Sequence, residues 1–359
     1  MNRSHRPAPG VVPGPGHGHA HGQDRGHAHQ HQHGHDHEAG GDVDWDALAT
    51  LLEREAELRA PAITEAAHWL RELLSGSATS NGSPTSNGSA ASNGSRTASN
   101  GRGSGNGSGT SEDSRPSGGV RRVLDVGSGP GVIAGLLAEV FPDAEVVAVD
   151  QSPALLERAR VRSAGRLTTQ QADLPGDFAA LGAADLIWSA NAIHHLGDQQ
   201  AALTALAGAL RPGGLLAVAE RGLPLRFLPR DIGLGRPGLQ ARLDAALEDT
   251  FAEMRAEVPD AVDTVEDWPA LLAAAGLAPS GTRTFLTDLP APLDRTAREY
   301  LHTHLARQRG RLGEGLDATD RATLDALLDP EAPTGILARP DAFYLTATTV
   351  HTARAAGAE

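Results

Sequence analysis

The sequence predicts an α/β protein built on a doubly wound, mostly parallel sheet. From Val120 onward, short apolar runs alternate with segments of helical periodicity, which is the pattern of strands joined by helical crossovers. The first apolar run ends in a glycine-rich turn, Asp125-Val-Gly-Ser-Gly-Pro-Gly131, directly before a helical pattern. A strand, a glycine turn and a helix start together form a nucleotide-type pocket at the carboxyl end of a parallel sheet.

Composition divides the 359 residues into four parts. Residues 1–41 are rich in Gly, His, Pro and Gln, and we expect a disordered tail. Residues 42–74 carry apolar side chains at helical spacing and predict a helical cap, in which Pro61 divides two helices. Residues 75–119 repeat Ser-Asn-Gly-Ser and predict a flexible, disordered linker. Residues 120–351 are predicted to form the main folded domain.

The composition also limits the function. The net charge of −14 argues against a nucleic-acid partner, which would require phosphate contacts. The chain has no cysteine, and therefore no disulfide, thiolate zinc site or cysteine nucleophile. No apolar run is long enough to span a membrane, and no apolar segment follows the first basic residues. We therefore expect a cytoplasmic, soluble protein.

Histidine recurs on alternate positions in two clusters of the tail, at 17–21 and 27–37. Imidazole binds Zn, Ni and Cu, so weak divalent metal binding is expected. Many equivalent ligands define no fixed geometry. A disordered tail of biased composition is the favoured interpretation, and a metal-handling role is the alternative.

The elements follow in order along the main domain. Strands are predicted at 120–126, 145–149, 167–172, 184–189 and 215–219, with a sixth at 282–289 and a seventh at 342–350. Helices are predicted at 131–141, near 155–161, and at 198–210, 238–257, 268–277, 293–312 and 317–329. The segments 222–260 and 290–340 are interpreted as helical cap insertions over the sheet.

The glycine spacing separates two cofactor classes. The dinucleotide fingerprint requires a glycine at position 132, which is Val. An ordered set of five motifs runs over about 119–220. These are Asp125-x-Gly-x-Gly-x-Gly131, Val-Ala-Val-Asp150, Ala-Asp173-Leu, Asp-Leu-Ile-Trp-Ser-Ala-Asn-Ala-Ile-His-His-Leu and Leu-Arg-Pro-Gly-Gly. This set resembles the class I S-adenosylmethionine methyltransferases, especially the branch of ubiquinone and menaquinone methyltransferases.

The resemblance implies a Rossmann-like, doubly wound, seven-stranded sheet whose last strand is antiparallel. It also implies S-adenosyl-L-methionine as the cofactor, a cation without phosphates that suits an acidic pocket. The resemblance also assigns residue roles by position. The cofactor would be cradled by Asp125, Gly127, Ser128, Gly129 and Gly131, and its ribose would be bound by Asp150. Its adenine would lie against Gln151, Asp173 and Leu174, and its methionine end would be lined by Ser189 and Ala190.

Methyl transfer is an in-line displacement, for which proximity and orientation can supply most of the rate. An oxygen acceptor would benefit from a base, and His194 and His195 follow the fourth strand near the expected pocket. The alternative is that these two histidines cap a helix or pack. Glu220 and Arg221 follow the fifth strand, and either face substrate or form a surface ion pair.

The predicted function is methyl transfer from S-adenosylmethionine to a small molecule. One alternative is an NAD(P)-dependent oxidoreductase, since an acid such as Asp150 also serves nicotinamide cofactors. The other is a non-catalytic protein, either a methyltransferase-like scaffold or a metal-handling protein that uses its histidine tail.

Overall fold

The protein is organised around one sheet in a computed structural model that describes residues 45–76, 119–220 and 222–357. Strands β1 to β5 are parallel in the order β3-β2-β1-β4-β5, and β8 joins β5 antiparallel. The chain crosses outward from β1 to β3 and then returns to β4, so the sheet is doubly wound. The strands are β1 Arg122–Val126, β2 Glu145–Asp150, β3 Thr168–Gln171, β4 Ala184–Ala190, β5 Leu210–Ala219, β6 Gly222–Arg226, β7 Ala278–Leu289 and β8 Tyr344–Arg354.

The predicted sixth and seventh strands are confirmed as β7 and β8. They pair antiparallel from Tyr344 to Arg354 of β8, although two helices separate them in sequence. The described residues also form one strand that the sequence did not predict. β6 pairs with residues 345–348 of β8, next to the place where β5 pairs with residues 351–354, so β6 continues the line of β5. Its Leu-Pro-Leu sequence lacks the alternation that would have indicated a strand.

Helices cover both faces of the sheet and form the cap. Five of them begin at a Ser or Asp whose side chain accepts a hydrogen bond from an amide of the first turn. None of the helices in the described ranges combines the length and hydropathy needed to cross a bilayer. The helices are α1 Trp45–Ser75, α2 Val132–Val140, α3 Pro153–Arg162, α4 Gln199–Gly208, α5 Leu239–Glu257, α6 Trp268–Ala274, α7 Arg295–Leu312 and α8 Ala318–Leu328.

The prediction that Pro61 divides two helices is wrong, because α1 is a single helix with Pro61 in its interior. An interior proline costs about 3 kcal/mol in an isolated helix. Here the residues after it, Ala62, Ile63 and Ala66, are buried in the core against the sheet. Burial of this face outweighs the local cost of the proline.

Three apolar clusters hold the fold. α1, α2 and α3 pack on one face of the sheet, and α4 and α6 pack on the other. The third cluster joins α5, α7 and α8 with residues 227–232 and the N-terminal part of α1. This third cluster is the core of the cap, above the carboxyl ends of the strands. The predicted cap helices of 222–260 and 290–340 therefore share one core with the start of α1.

Candidate active site

The glycine turn after β1 has the backbone conformation that its sequence predicts. Gly127, Gly129 and Gly131 have φ values of 74°, 53° and 74°, which side chains other than glycine rarely adopt. A Cβ at Gly131 would lie 2.5 Å from the Cβ of Ala159, so α3 packs directly on the turn. At Gly129 the nearest neighbour is Leu52 of α1, at 3.9 Å. The turn is therefore tight against α3 and open beneath α1.

Asp150, at the end of β2, ties the glycine turn to the sheet. Its carboxylate accepts hydrogen bonds from the amides of Gly129, at 2.8 Å, and Ser152, at 2.9 Å. The carbonyl of Val149 accepts from the amides of Gly127 and Ser128, both at 2.9 Å. Each carboxylate oxygen has more than one lone pair, so Asp150 can still accept from a ligand hydroxyl.

Asp125 is a buried acid with an unused acceptor. Its side chain is 2% exposed, and its Oδ2 has no hydrogen-bond partner among the described residues. Burial, and secondarily the charge of Asp150, raises the pKa of Asp125 to about 7, against an amide donation from Ala134. A buried carboxyl beside a second carboxylate favours a cationic ligand.

The predicted adenine side lies beside Asp150. The amide of Ala172 donates to the carbonyl of Asp150 at 3.1 Å, which brings the end of β3 next to β2. Asp173 follows directly; its side chain is exposed, while its amide donates to Asp177 at 2.8 Å. Leu174 packs against the core, and the carbonyl of Gln151 accepts from Gln171.

The predicted methionine side begins at the end of β4. Ser189 is fully buried, and its hydroxyl donates to the carbonyl of Val126 at 3.2 Å. Its side chain therefore braces β4 against β1, which leaves only its backbone for a ligand. Ala190 is half-buried and packs against the cluster on the α1 face.

Glu220 organises the segment after β4, and neither of its predicted roles accounts for this. Glu220 is 2% exposed, and one oxygen of its carboxylate accepts hydrogen bonds from the amides of Ala192, at 2.8 Å, and Ile193, at 2.7 Å. Its other oxygen lies 2.7 Å from Nδ1 of His194. The predicted surface ion pair is thus wrong for Glu220, because the residue is buried; Arg221 lies outside the described residues. The ring of His195 is 4.1 Å from that of His194.

A brace from the cap reaches the same segment. Arg255 of α5 donates to the carbonyls of His194, at 2.6 Å, and Leu196, at 2.8 Å. Phe251, one turn earlier, meets the His194 ring edge-on at 5.4 Å. No sequence spacing indicated this contact, since 61 residues separate Arg255 from His194.

Together these residues define a Rossmann-like pocket that fits a cationic nucleoside without phosphates. The glycines of the turn leave a backbone surface without Cβ atoms, and two carboxylates lie behind it. The sequence between Leu124 and Glu157 contains no Lys or Arg that could neutralise a phosphate. No cluster of three metal-ligating side chains occurs within the described ranges. The histidine tail and residues 77–118 of the predicted linker lie outside the described ranges.

Comparisons with known proteins find similar methyltransferases. Residues 123–214 match the family described as a methyltransferase domain. A trans-aconitate 2-methyltransferase of Methylobacterium radiotolerans is 37% identical over 154 residues, which are 38% of this chain and 58% of that protein. Another, of Methylobacterium nodulans, is 32% identical over 206 residues, 54% of this chain and 78% of that protein. An O-methyltransferase family protein from Burkholderia thailandensis is similar in structure, with 17% identity and a TM-score of 0.36. The match covers 67% of this chain and 52% of that chain.

The chain belongs to the class I S-adenosylmethionine-dependent methyltransferases. Its cofactor is S-adenosylmethionine, as the sequence predicted. The first relative is matched over little more than half of its length, 58%.

Proposed function

We propose that the protein transfers a methyl group from S-adenosylmethionine to a carboxylate oxygen of a small organic acid. The observation that carries the cofactor half is the open glycine turn beside Asp150 and the unpartnered oxygen of Asp125. The acceptor half is supported by relatives named trans-aconitate 2-methyltransferase, since trans-aconitate is a tricarboxylic acid. A cytoplasmic location, the lack of nucleic-acid and membrane partners, and weak metal binding by the tail remain predictions from the sequence.

Each residue then has a defined task. S-adenosylmethionine supplies an electrophilic methyl group on a positively charged sulfur. Asp150 accepts the ribose hydroxyls, while Asp125 faces the positive charge at the methionine end. The adenine lies between Gln151 and the pair Asp173–Leu174. Gly127, Ser128, Gly129 and Gly131, with the backbone of Ser189 and Ala190, complete the cradle.

The protein's contribution to the chemistry is orientation. A carboxylate is ionised at neutral pH, so its methylation needs no general base. We therefore assign His194 to orientation of the acceptor rather than to proton removal. Glu220 fixes Nδ1 of His194, which leaves Nε2 as the ring nitrogen available to a ligand, and His195 packs beside it. Alignment of the acceptor with the methyl group is expected to supply most of the rate.

Calorimetry tests the cofactor half. S-adenosylhomocysteine should bind the full chain, and Asp150→Ala should weaken binding by about tenfold or more, because charge-assisted hydrogen bonds are lost. Asp143→Ala, an exposed acid at the start of the turn before β2, is the matched control. Binding of NADH in place of S-adenosylhomocysteine would favour the oxidoreductase instead.

Methyl transfer tests the acceptor half. Tritiated S-adenosylmethionine is offered with trans-aconitate, malonate and acetate, and with a phenol and a primary amine as non-acid acceptors. We expect methyl esters of the acids. Transfer only to the phenol or amine would overturn the carboxylate assignment, and cofactor binding without transfer to any of the five would favour a scaffold.

A further inference from the structure

The N-terminal half of α1 carries a polar face over the site. Leu52 approaches Gly129, and Arg59 lies two helical turns further on, so the two share one face of α1 about 10 Å apart. Arg59 donates to the hydroxyl of Thr348 on β8 at 2.5 Å. Thr348 pairs with Gly222, just beyond the end of β5. Arg59 therefore lies near the carboxyl edge of the sheet, two helical turns along α1 from the residue that approaches the glycine turn.

Arg59 is largely buried, and one of its N–H groups has no hydrogen-bond acceptor among the described residues. Its side chain is 16% exposed, and one guanidinium nitrogen donates to Glu55 at 3.0 Å. Its Nε is buried, and no described residue accepts a hydrogen bond from it. A buried guanidinium N–H without an acceptor is costly, because water is lost and nothing replaces it. An oxyanion is the ligand that a guanidinium binds best, since two parallel N–H groups match two carboxylate oxygens.

Polar side chains of α7 and β8 lie beside the Glu55–Arg59 pair. The hydroxyl of Tyr300 on α7 donates to Glu55, and burial raises the pKa of Tyr300 well above its usual range. The ring of Tyr344 lies 5.9 Å from that of Tyr300, and that of His304 lies 5.8 Å away. Burial lowers the pKa of His304, with the charges of Arg307 and Arg311 acting in the same direction and those of Glu55 and Asp244 against it. At neutral pH, these groups add hydrogen bonds without adding charge.

One more buried atom on α7 lacks a partner. Gln308 donates to His304 at 2.9 Å, while its Oε1 is buried and unpaired within the described part of the chain. Tyr300, His304 and Gln308 follow each other at four-residue intervals, so they share one face of α7. We call this face of α7, together with Glu55–Arg59 of α1, the acceptor seam.

We propose that Arg59 binds one carboxylate of the methyl acceptor in the acceptor seam, and that the enzyme therefore prefers acids with at least two carboxylates. One carboxylate is held by Arg59, and a second extends toward the glycine turn, where the methyl group is delivered. A monocarboxylate can satisfy only one of the two positions. The inference rests on the proposed function and adds to it an anchor and a substrate class.

Steady-state kinetics with the acid series of malonate, trans-aconitate and acetate test the anchor. We expect Arg59→Gln to raise KM for the acids with two or three carboxylates by about 10- to 100-fold and to remove their advantage over acetate. The Kd of S-adenosylhomocysteine should change by less than about twofold. Arg54→Gln is the matched control, because Arg54 lies on the same helix but pairs with Glu299 at the surface. An unchanged KM and an unchanged acid preference in Arg59→Gln would overturn the proposal.

Two further measurements keep the outcomes separate. Arg59→Lys keeps the charge but loses the two-pronged geometry, so it should retain the preference with a smaller rise in KM, even if Arg59→Gln folds poorly. Binding of tricarballylate to protein loaded with S-adenosylhomocysteine is measured without turnover. Acid binding that depends on Arg59, with no methylation, would count against the proposed reaction alone. Equal binding by wild type and Arg59→Lys would count against the anchor.

Discussion

Nδ1 of His194 lies 2.7 Å from Oε2 of Glu220, and Oε1 of the same carboxylate accepts the amides of Ala192 and Ile193. One buried side chain at the end of β5 therefore fixes the turn that leaves β4. The Cβ of Ala192 occupies the place where a side chain on Gly127 would lie. Through Ala192, Glu220 also shapes the wall of the glycine turn, so the proposed cofactor and acceptor sides both depend on one carboxylate.

Glu220→Ala should therefore destabilise the fold and weaken cofactor binding. It leaves two buried amides and one imidazole without their acceptor, which we expect to lower the free energy of unfolding by about 1–3 kcal/mol. Urea unfolding followed by circular dichroism measures the loss. Glu139→Ala, an exposed acid on α2, should change stability by less than about 0.5 kcal/mol. Equal effects of the two substitutions would show that the hydrogen bonds of Glu220 do not stabilise the fold.

The local parts of the site could be predicted from the sequence, because they depend on neighbours in the chain. Short motifs mark strand ends and glycine turns, so the conformation of the glycine turn and the position of Asp150 at the end of β2 follow from the sequence. Glu220 was noticed as a residue that ends a strand, but its burial follows from packing against a segment 26 positions earlier. Periodicity carries no information on such a contact.

The parts of the fold that were missed are also the parts set by distant packing. Pro61 signals a break locally, and only the burial of Ala62 and Ile63 against the sheet explains the continuous α1. No sequence pattern singled out Arg59, since its position depends on a contact with Thr348, 289 positions away. Short motifs therefore predict a cofactor side, while the proposed acceptor side depends on contacts that only the structure gives.

Gly129→Ala and Gly131→Ala should separate cofactor binding from folding. Both positions have positive φ, which costs an alanine about 1–2 kcal/mol. At Gly131 the new methyl would also collide with Ala159 at 2.5 Å, so this variant should be the less stable of the two. At Gly129 there is room, and the methyl would enter the space beneath Leu52.

We therefore expect Gly129→Ala to retain most of its stability but to weaken binding of S-adenosylhomocysteine. Thermal unfolding and calorimetry on both variants make the comparison. The reverse order, with Gly131→Ala the more stable and Gly129→Ala the tighter binder, would place the cofactor elsewhere.

Asp320 should make the cap sensitive to acid. It is 3% exposed, and its carboxylate accepts from Arg242 at 2.6 and 2.7 Å and from Arg236 at 2.9 Å. These arginines, Arg242 first, hold the pKa of Asp320 below its usual range. A lowered pKa stabilises the fold above the unfolded pKa near 4, and this contribution is lost as the pH falls through the folded value.

Asp320→Asn should therefore lower the free energy of unfolding by about 1–3 kcal/mol at pH 7 and make little difference at the lowest pH at which the chain still folds. Asp325→Asn, which removes an exposed pair with Arg309, is the control. Urea unfolding at a series of pH values gives the comparison. A difference between Asp320→Asn and wild type that did not shrink in acid would contradict the assignment.

Asp125 should release a proton when the cofactor binds. Its folded pKa of about 7 lies above the model-compound value of 3.8, because it is buried and faces Asp150. Between these two values the folded, ligand-free protein keeps a proton that the unfolded chain has lost. The resulting stabilisation is fully present below pH 4 and is lost as the pH rises through 7.

A cationic ligand favours the ionised form, so binding at pH 7 should release roughly half a proton. Calorimetry with S-adenosylmethionine in two buffers of different ionisation enthalpy measures this number. Asp125→Asn should bind with no such release, and an equal proton count in variant and wild type would locate the titrating group elsewhere.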